Sequence, residues 1–143
     1  MMKKTKAVIA AMVGAILMAQ PVVAADYSAD DLYNLAHVTY AEAGNCGWYM
    51  MISVASVVVN RVKSPLFPNT IQEVIFAPGQ YAPTWNGTFW LEPSQEAIEA
   101  AEYVLENGSQ IDESVIWQAE FPQGNGVYDK IESPWGTTMY FCY

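Results

Sequence analysis

From about residue 28 to residue 106 the apolar positions recur with a helical period. Beyond residue 113, short β-branched and aromatic runs replace that rhythm. Ser28 reads as a helix N-cap with Asp31 as its capping-box acid. The helix it opens extends to about Ala43, where Gly44-Asn45 stop it. A second helix is predicted from about Trp48 to Lys63. Its run Ile52 to Val59 is apolar nearly all round, which makes it the buried centre. The β-branched residues there would also allow a strand, but the apolar stretch with its flanks is too long for one. Ser64 to Asn69 is a turn segment. Thr70 and Glu73 then cap a short helix, Ile71 to Phe76, and Ala77-Pro78-Gly79 end it. Gln80 to Leu91 reads as loop or hairpin around Asn86-Gly87. A third long helix runs from Pro93 to Glu106, with Ile98, Ala101 and Leu105 as its core stripe and Glu96, Glu99, Glu102 and Glu106 solvated. Ser114 to Ala119 and Thr137 to Tyr143 read as strands, with the glycine-rich Gln123 to Tyr128 as loop. Helices first and a small antiparallel sheet last define an α+β class.

The stripe geometry of the first helix singles out one acid. At 100° per residue, Asp30, Asn34, His37 and Ala41 share one stripe, expected to face water, while Glu42 points away beside Leu35 and Val38. A carboxyl among apolar neighbours has its charged form disfavoured, so it stays protonated to higher pH and can donate a proton. The alternative is a glutamate near a helix end that bends into solvent.

The N-terminus changes the charge balance. Lys3, Lys4 and Lys6 precede an apolar run from Ala7 to Met18, followed by small residues up to Ala25. That order is a signal peptide over residues 1–25. The run is too short and too weakly flanked for a membrane span, though an uncleaved anchor is the alternative. Residues 26–143 are then one exported domain, with no membrane segment after cleavage. It carries three Lys+Arg against fifteen Asp+Glu, a net charge of −12. Such a surface argues against nucleic acid as partner.

Cys46 and Cys142, an even count in an exported chain, suggest a disulfide. The alternative is a catalytic thiol at Cys46 served by His37, the single histidine, which the stripe places on the solvent side. One histidine also argues against zinc, so no metal and no cofactor are expected. Gly79 to Trp85 places Gln80, Tyr81 and Trp85 together on a predicted loop. Rings of this kind stack on the apolar faces of sugars, and amides and hydroxyls bond their hydroxyls. Trp90, Trp117 and Trp135 add to the aromatic count, with core packing as the plainer reading for each.

Four ordered segments carry a resemblance. They are Tyr40 to Asn45, Val57 to Ile71, Val74 to Tyr81, and Leu91 to Ala97. Their order and spacing resemble the SleB/CwlJ-type cell-wall hydrolase family over nearly all of residues 31–143. The resemblance implies a lysozyme-like domain acting on peptidoglycan glycan strands between N-acetylmuramic acid and N-acetylglucosamine, as a monomer in the wall or spore compartment. It implies Glu42 as the catalytic acid, with Gln80, Tyr81, Asn60 and Tyr140 around the substrate. Asn60 and Arg61, on a buried helix, have a structural reading too. The chain departs from the family at three points. Trp48-Tyr49-Met50 stands where many members carry an acid and a glycine, Gly136-Thr137-Thr138 where they carry a histidine, and Glu92 where a threonine caps the third helix.

Glycoside cleavage usually needs two carboxyls. Glu73 is explained as a cap, which leaves Glu120, Asp129 and Glu132 in segments read as polar loops. A lytic transglycosylase needs only one carboxyl, acting first as acid and then as base. The competing readings are a module that binds glycan without cutting it and, weakly, a zinc amidase.

Overall fold

The computed structural model describes residues 26–143, so the signal-peptide reading for residues 1–25 lies outside the described residues. The order is α1 (Ala29–Ala43), α2 (Trp48–Lys63), α3 (Ile71–Phe76), α4 (Pro83–Asn86), a 3₁₀ turn (Thr88–Trp90), α5 (Gln95–Asn107), β1 (Trp117–Ala119), β2 (Val127–Glu132) and β3 (Thr138–Cys142). The expected α+β class holds.

Local chemistry sets the helix ends. Ser28 accepts from the Asp31 amide at 3.1 Å, and Asp31 accepts from the Ser28 amide at 3.0 Å, closing the predicted capping box. Thr70 caps α3 through the Glu73 amide at 3.2 Å. Gly44 is required where α1 stops, because a Cβ there would lie 2.5 Å from the Tyr40 carbonyl and 2.7 Å from the Tyr40 ring. The close turn fixes the end of α1 two residues past Glu42. For α5 the cap is Ser94, accepting from Ala97 N at 3.2 Å, so Pro93 and Glu92 precede the helix.

The core sits where α1, α2 and α5 pack together. Met51, Val54, Ala55, Val57 and Val58 are fully buried, so α2 is covered on nearly every side, as its unbroken apolar run predicts. Its polar residues are tied down. Ser53 donates to Tyr49 O at 2.8 Å, and Ser56 accepts from Gln110 N at 2.9 Å. On α5, Ala97, Ala100, Ala101 and Val104 are buried, while Ile98 and Leu105 are only partly so. The contact face is therefore made of small residues more than of the expected large ones.

Three expectations need correction. Residues 80–91 form α4 and a 3₁₀ turn instead of a hairpin, because Pro83 starts a helical turn and Phe89 sinks fully into the core. That segment covers the stripe of α1 expected to face water. His37 is 4 % exposed, with Nδ1 2.7 Å from Phe89 O and its ring against Tyr33 and Phe89. Asp129 and Glu132 lie in strand β2, not in a loop. The sheet order is β1-β3-β2, all antiparallel, with a bulge between Val127 and Asp129.

Candidate active site

Glu42 occupies the last turn of α1 and is half-buried. The sheet closes over it, and Gln118 of β1 donates its side-chain amide to Glu42 Oε2 at 3.4 Å. Burial pushes the carboxyl up from its ordinary value. The Gln118 hydrogen bond and the Arg61 charge pull against that shift without cancelling it. The negative end of the α1 dipole also disfavours charge at this position.

Arg61 reaches this carboxyl electrostatically from α2. Its side chain is nearly inaccessible, and Nε donates to Ile116 O at 2.8 Å. Its guanidinium carbon lies 4.8 Å from the ring centre of Phe67, 5.1 Å from Tyr81 and 5.7 Å from Trp117. Three distant segments thus wrap one cation in aromatic faces. Nη1 has no hydrogen-bond partner.

Tyr81 lies within the field of both charged groups and is 2 % exposed. Burial raises its hydroxyl to about 12; Arg61 opposes the shift and Glu42 adds to it. It is therefore a neutral phenol at any working pH. Its oxygen has no partner, and neither has Gln118 Oε1. Buried polar atoms are nearly always satisfied; Thr39 Oγ1 and Asn60 Oδ1 are unpartnered as well, so the orphans extend beyond the neighbourhood of Glu42.

The sheet presents a second acid to the same side. Gln118 and Asp129 both pair with Phe141, so the two share the face turned towards α1. They are two strand spacings apart, about 10 Å. Asp129 accepts from Tyr49 OH at 3.2 Å, which ties the start of α2 to β2. Glu132 alternates to the opposite face, and Glu120 is exposed beyond β1.

The other expected residues scatter. Gln80 and Trp85 are exposed on either side of the buried Tyr81, and Trp85 retains 61 % of its surface. Tyr140 pairs with Ala119 and Lys130, which places it on the sheet face away from Gln118. Asn60 is buried and donates to Asp112 O at 2.8 Å and Val115 O at 2.9 Å, so its amide nitrogen clasps the loop before β1, while Oδ1 has no partner. Cys46 and Cys142 are both free. The Cys142 thiol is buried in β3 and accepts from Gln123 N at 3.5 Å, so it faces the glycine-rich loop and not the α1–α2 corner that holds Cys46. Burial raises the Cys46 thiol, the opposite of a reactive cysteine, and His37 is turned to Phe89. The thiol reading therefore fails.

Sequence reasoning missed Gln118 and gave Arg61 no electrostatic part. The signal for Gln118 was an amide inside a short apolar strand, between Trp117 and Ala119. Among the described residues no group of three or more His, Cys, Asp or Glu is placed to hold a metal. A hollow of about 380 Å³ lies between α2 and α5, lined by Val59, Val62 and Leu105. Its Asp31 is committed to capping α1, so the chemistry points to Glu42 and not to that hollow.

Fold and site together define a small α+β domain built round one sheltered acid, with a neutral phenol and a fixed cation beside it. The chain belongs to the cell wall hydrolase family, whose model matches residues 48–138, a stretch beginning just after Glu42. It is 35% identical to the spore cortex-lytic enzyme of Oceanobacillus iheyensis over 102 residues, 71% of this chain and 33% of that protein. It is 32% identical to the spore cortex-lytic enzyme of Bacillus cereus over 113 residues, 76% of this chain and 39% of that protein. The chain thus spans between a third and two fifths of the length of these relatives. The fold is that of the catalytic domain of the germination-specific lytic transglycosylase SleB from Bacillus anthracis. That match has a TM-score of 0.66 and 24% identity, covering 82% of this chain and 98% of that one. The SleB catalytic domain from Bacillus cereus matches with the same TM-score and identity over 87% of this chain and 98% of that one. The lysozyme-like expectation holds for the fold.

Proposed function

We propose that this domain cleaves the glycan strand of peptidoglycan between N-acetylmuramic acid and N-acetylglucosamine, as a lytic transglycosylase with Glu42 as both acid and base. The observation that carries this reading is the half-buried Glu42 carboxyl, whose proton burial holds to higher pH than usual and which Gln118 meets at 3.4 Å. The protonated acid gives its proton to the leaving oxygen as the C1–O bond breaks. The carboxylate so formed takes the proton of the muramic 6-hydroxyl, and O6 closes on C1 to give a 1,6-anhydro ring. No water is consumed and Glu42 ends protonated. Gln80 and Trp85, exposed beside Tyr81, supply an amide and a ring at the rim of the substrate path. The domain acts as an exported monomer in the wall or spore compartment. At its net charge, short-range sugar contacts and not long-range attraction must hold an anionic wall polymer.

Asp129 motivates a second reading. Its place on the sheet face that carries Gln118 makes it the candidate for a second, water-activating carboxylate, as an inverting hydrolase needs. Mass spectrometry of purified sacculi digested by the protein separates the two. Anhydro-muropeptides, lighter by one water than hydrolysis products, support transglycosylation, and reducing ends support hydrolysis through Asp129. Absence of either kind of new end contradicts both and leaves a binding module.

A further inference from the structure

Of the two acids in β2, only Asp129 is turned inward, and both of its oxygens are engaged. The bulge between Val127 and Asp129 shifts the alternation of the strand by one residue, so Asp129 pairs with Phe141 on the face that carries Gln118. Without the extra residue, Asp129 would share the outer side with Val127. The same shift brings Ile131 opposite Met139, which accounts for the bulge by packing but not for a carboxylate carried in with it. Glu42 meets this face through Gln118 at 3.4 Å. Asp129 Oδ2 accepts from the Tyr49 hydroxyl at 3.2 Å, and Oδ1 accepts from Lys130 N at 2.8 Å. The Tyr49 ring is more than half exposed, so packing gives it little to do. Partial burial, and after it the Asp129 carboxylate, raise the Tyr49 hydroxyl, which keeps the phenol neutral and able to donate.

We propose that Tyr49 is a positioning residue that sets the product of the reaction: by holding the Asp129 carboxylate it withholds that acid from water and leaves the muramic 6-hydroxyl as the nucleophile. This deepens the transglycosylase reading of Glu42 and rests on it. Two routes begin alike, with Glu42 giving its proton to the leaving oxygen as the C1–O bond breaks. In the anhydro route, O6 bonds to C1 and its proton returns to Glu42. In the hydrolytic route, a water oxygen bonds to C1, Asp129 takes the water proton, and solvent carries it back to Glu42, with one water consumed. The second route needs a carboxylate oxygen open to water. The Tyr49 hydroxyl occupies Oδ2 through a charge-assisted bond, and Lys130 N occupies Oδ1. Removing the hydroxyl frees Oδ2 and keeps the ring. A clasp that served only to hold α2 to β2 would change stability and leave the kind of product alone.

The test is mass spectrometry of sacculi digested by the wild-type protein, by Tyr49→Phe, and by Tyr49→Phe combined with Asp129→Asn. The wild type gives anhydro ends. In Tyr49→Phe the share of reducing ends rises at least about tenfold, the scale of a lost hydrogen bond to a charged group. Adding Asp129→Asn returns that share to the wild-type value. A folded Tyr49→Phe with the wild-type product ratio overturns the proposal, as does one that releases nothing. A double variant that keeps the reducing ends, or releases nothing, overturns it too. If Tyr49→Phe does not fold, Tyr49→Leu, which also lacks the hydroxyl, is read against the same outcomes. An unchanged ratio in Tyr49→Phe beside a wild type that makes anhydro ends sinks only the role of Tyr49. A wild type that makes only reducing ends sinks the transglycosylase reading itself, and the role of Tyr49 with it.

Discussion

Asp31 and Glu42 are acids at opposite ends of one helix, and α1 treats them in opposite ways. Asp31 sits in the first turn, near the positive end of the helix dipole, and accepts from both the amide and the hydroxyl of Ser28. Its charge is used to satisfy the helix. Glu42 sits in the last turn, near the negative end, half-buried under β1, with one long hydrogen bond from Gln118. Its charge is discouraged by burial and by the helix end, and favoured only by the Gln118 bond and Arg61. The difference teaches that position along a helix and cover by another element decide whether a carboxyl's charge is used to cap the helix or is disfavoured.

The comparison can be broken at several levels. The largest effect is expected from Glu42→Gln, which keeps size and hydrogen bonding but removes the titrating proton. Muropeptide release should fall by about 100- to 10,000-fold, the usual worth of a general acid, while Asp31→Ala leaves the rate unchanged. Phe89→Ala opens the cover over His37 and the α1 face, since Phe89 is fully buried against Phe76, His37 and Trp90. It should destabilise by about 3–5 kcal/mol in denaturant unfolding. Asn60→Ala unclasps the loop before β1 and should cost about 1–3 kcal/mol. Asp31→Ala removes half of the capping box and should cost about 1 kcal/mol. The smallest effect is on pH dependence. The folded state holds the Glu42 proton more tightly than the unfolded state, so this group's contribution is full at pH below its unfolded value and is lost as pH rises through the folded one. Glu42→Gln should therefore be the more stable protein at neutral pH and lose that advantage in acid, as read from unfolding midpoints at the two pH values.

Much of this contrast was legible before any coordinates. The Ser28–Asp31 box, the Thr70 cap and the bounds of α1, α2 and α3 follow from local rules, because capping and apolar period act within a few residues. Glu42 stood out because it shares a helix side with Leu35 and Val38, both fully buried. What escaped was decided by distant segments. His37 was assigned to water on the assumption that α1 buries a single face, but residues 88–90 cover the other. Asn86-Gly87 suggested a hairpin, yet the sinking of Phe89 selected helical turns. β2 escaped because Val127 to Glu132 carries charges on both faces, and the face of Asp129 is set by its register against Phe141. Tyr81 was read as lining an open groove, but its contact with Arg61 draws it inside. Arg61 itself could not be interpreted from its helix, since the rings that shelter it come from residues 67, 81 and 117. Chemistry made by one residue's neighbourhood on its own helix was visible, and chemistry assembled across the fold was not.

The most direct test is a carbon NMR titration of the glutamate side chains, with Glu42 assigned by its loss in Glu42→Gln. The account predicts that Glu42 in the folded protein titrates at higher pH than the same residue in the unfolded chain, and that the alkaline limb of muropeptide release follows its midpoint. A Glu42 carboxyl that titrates alike in the folded and unfolded protein would contradict it.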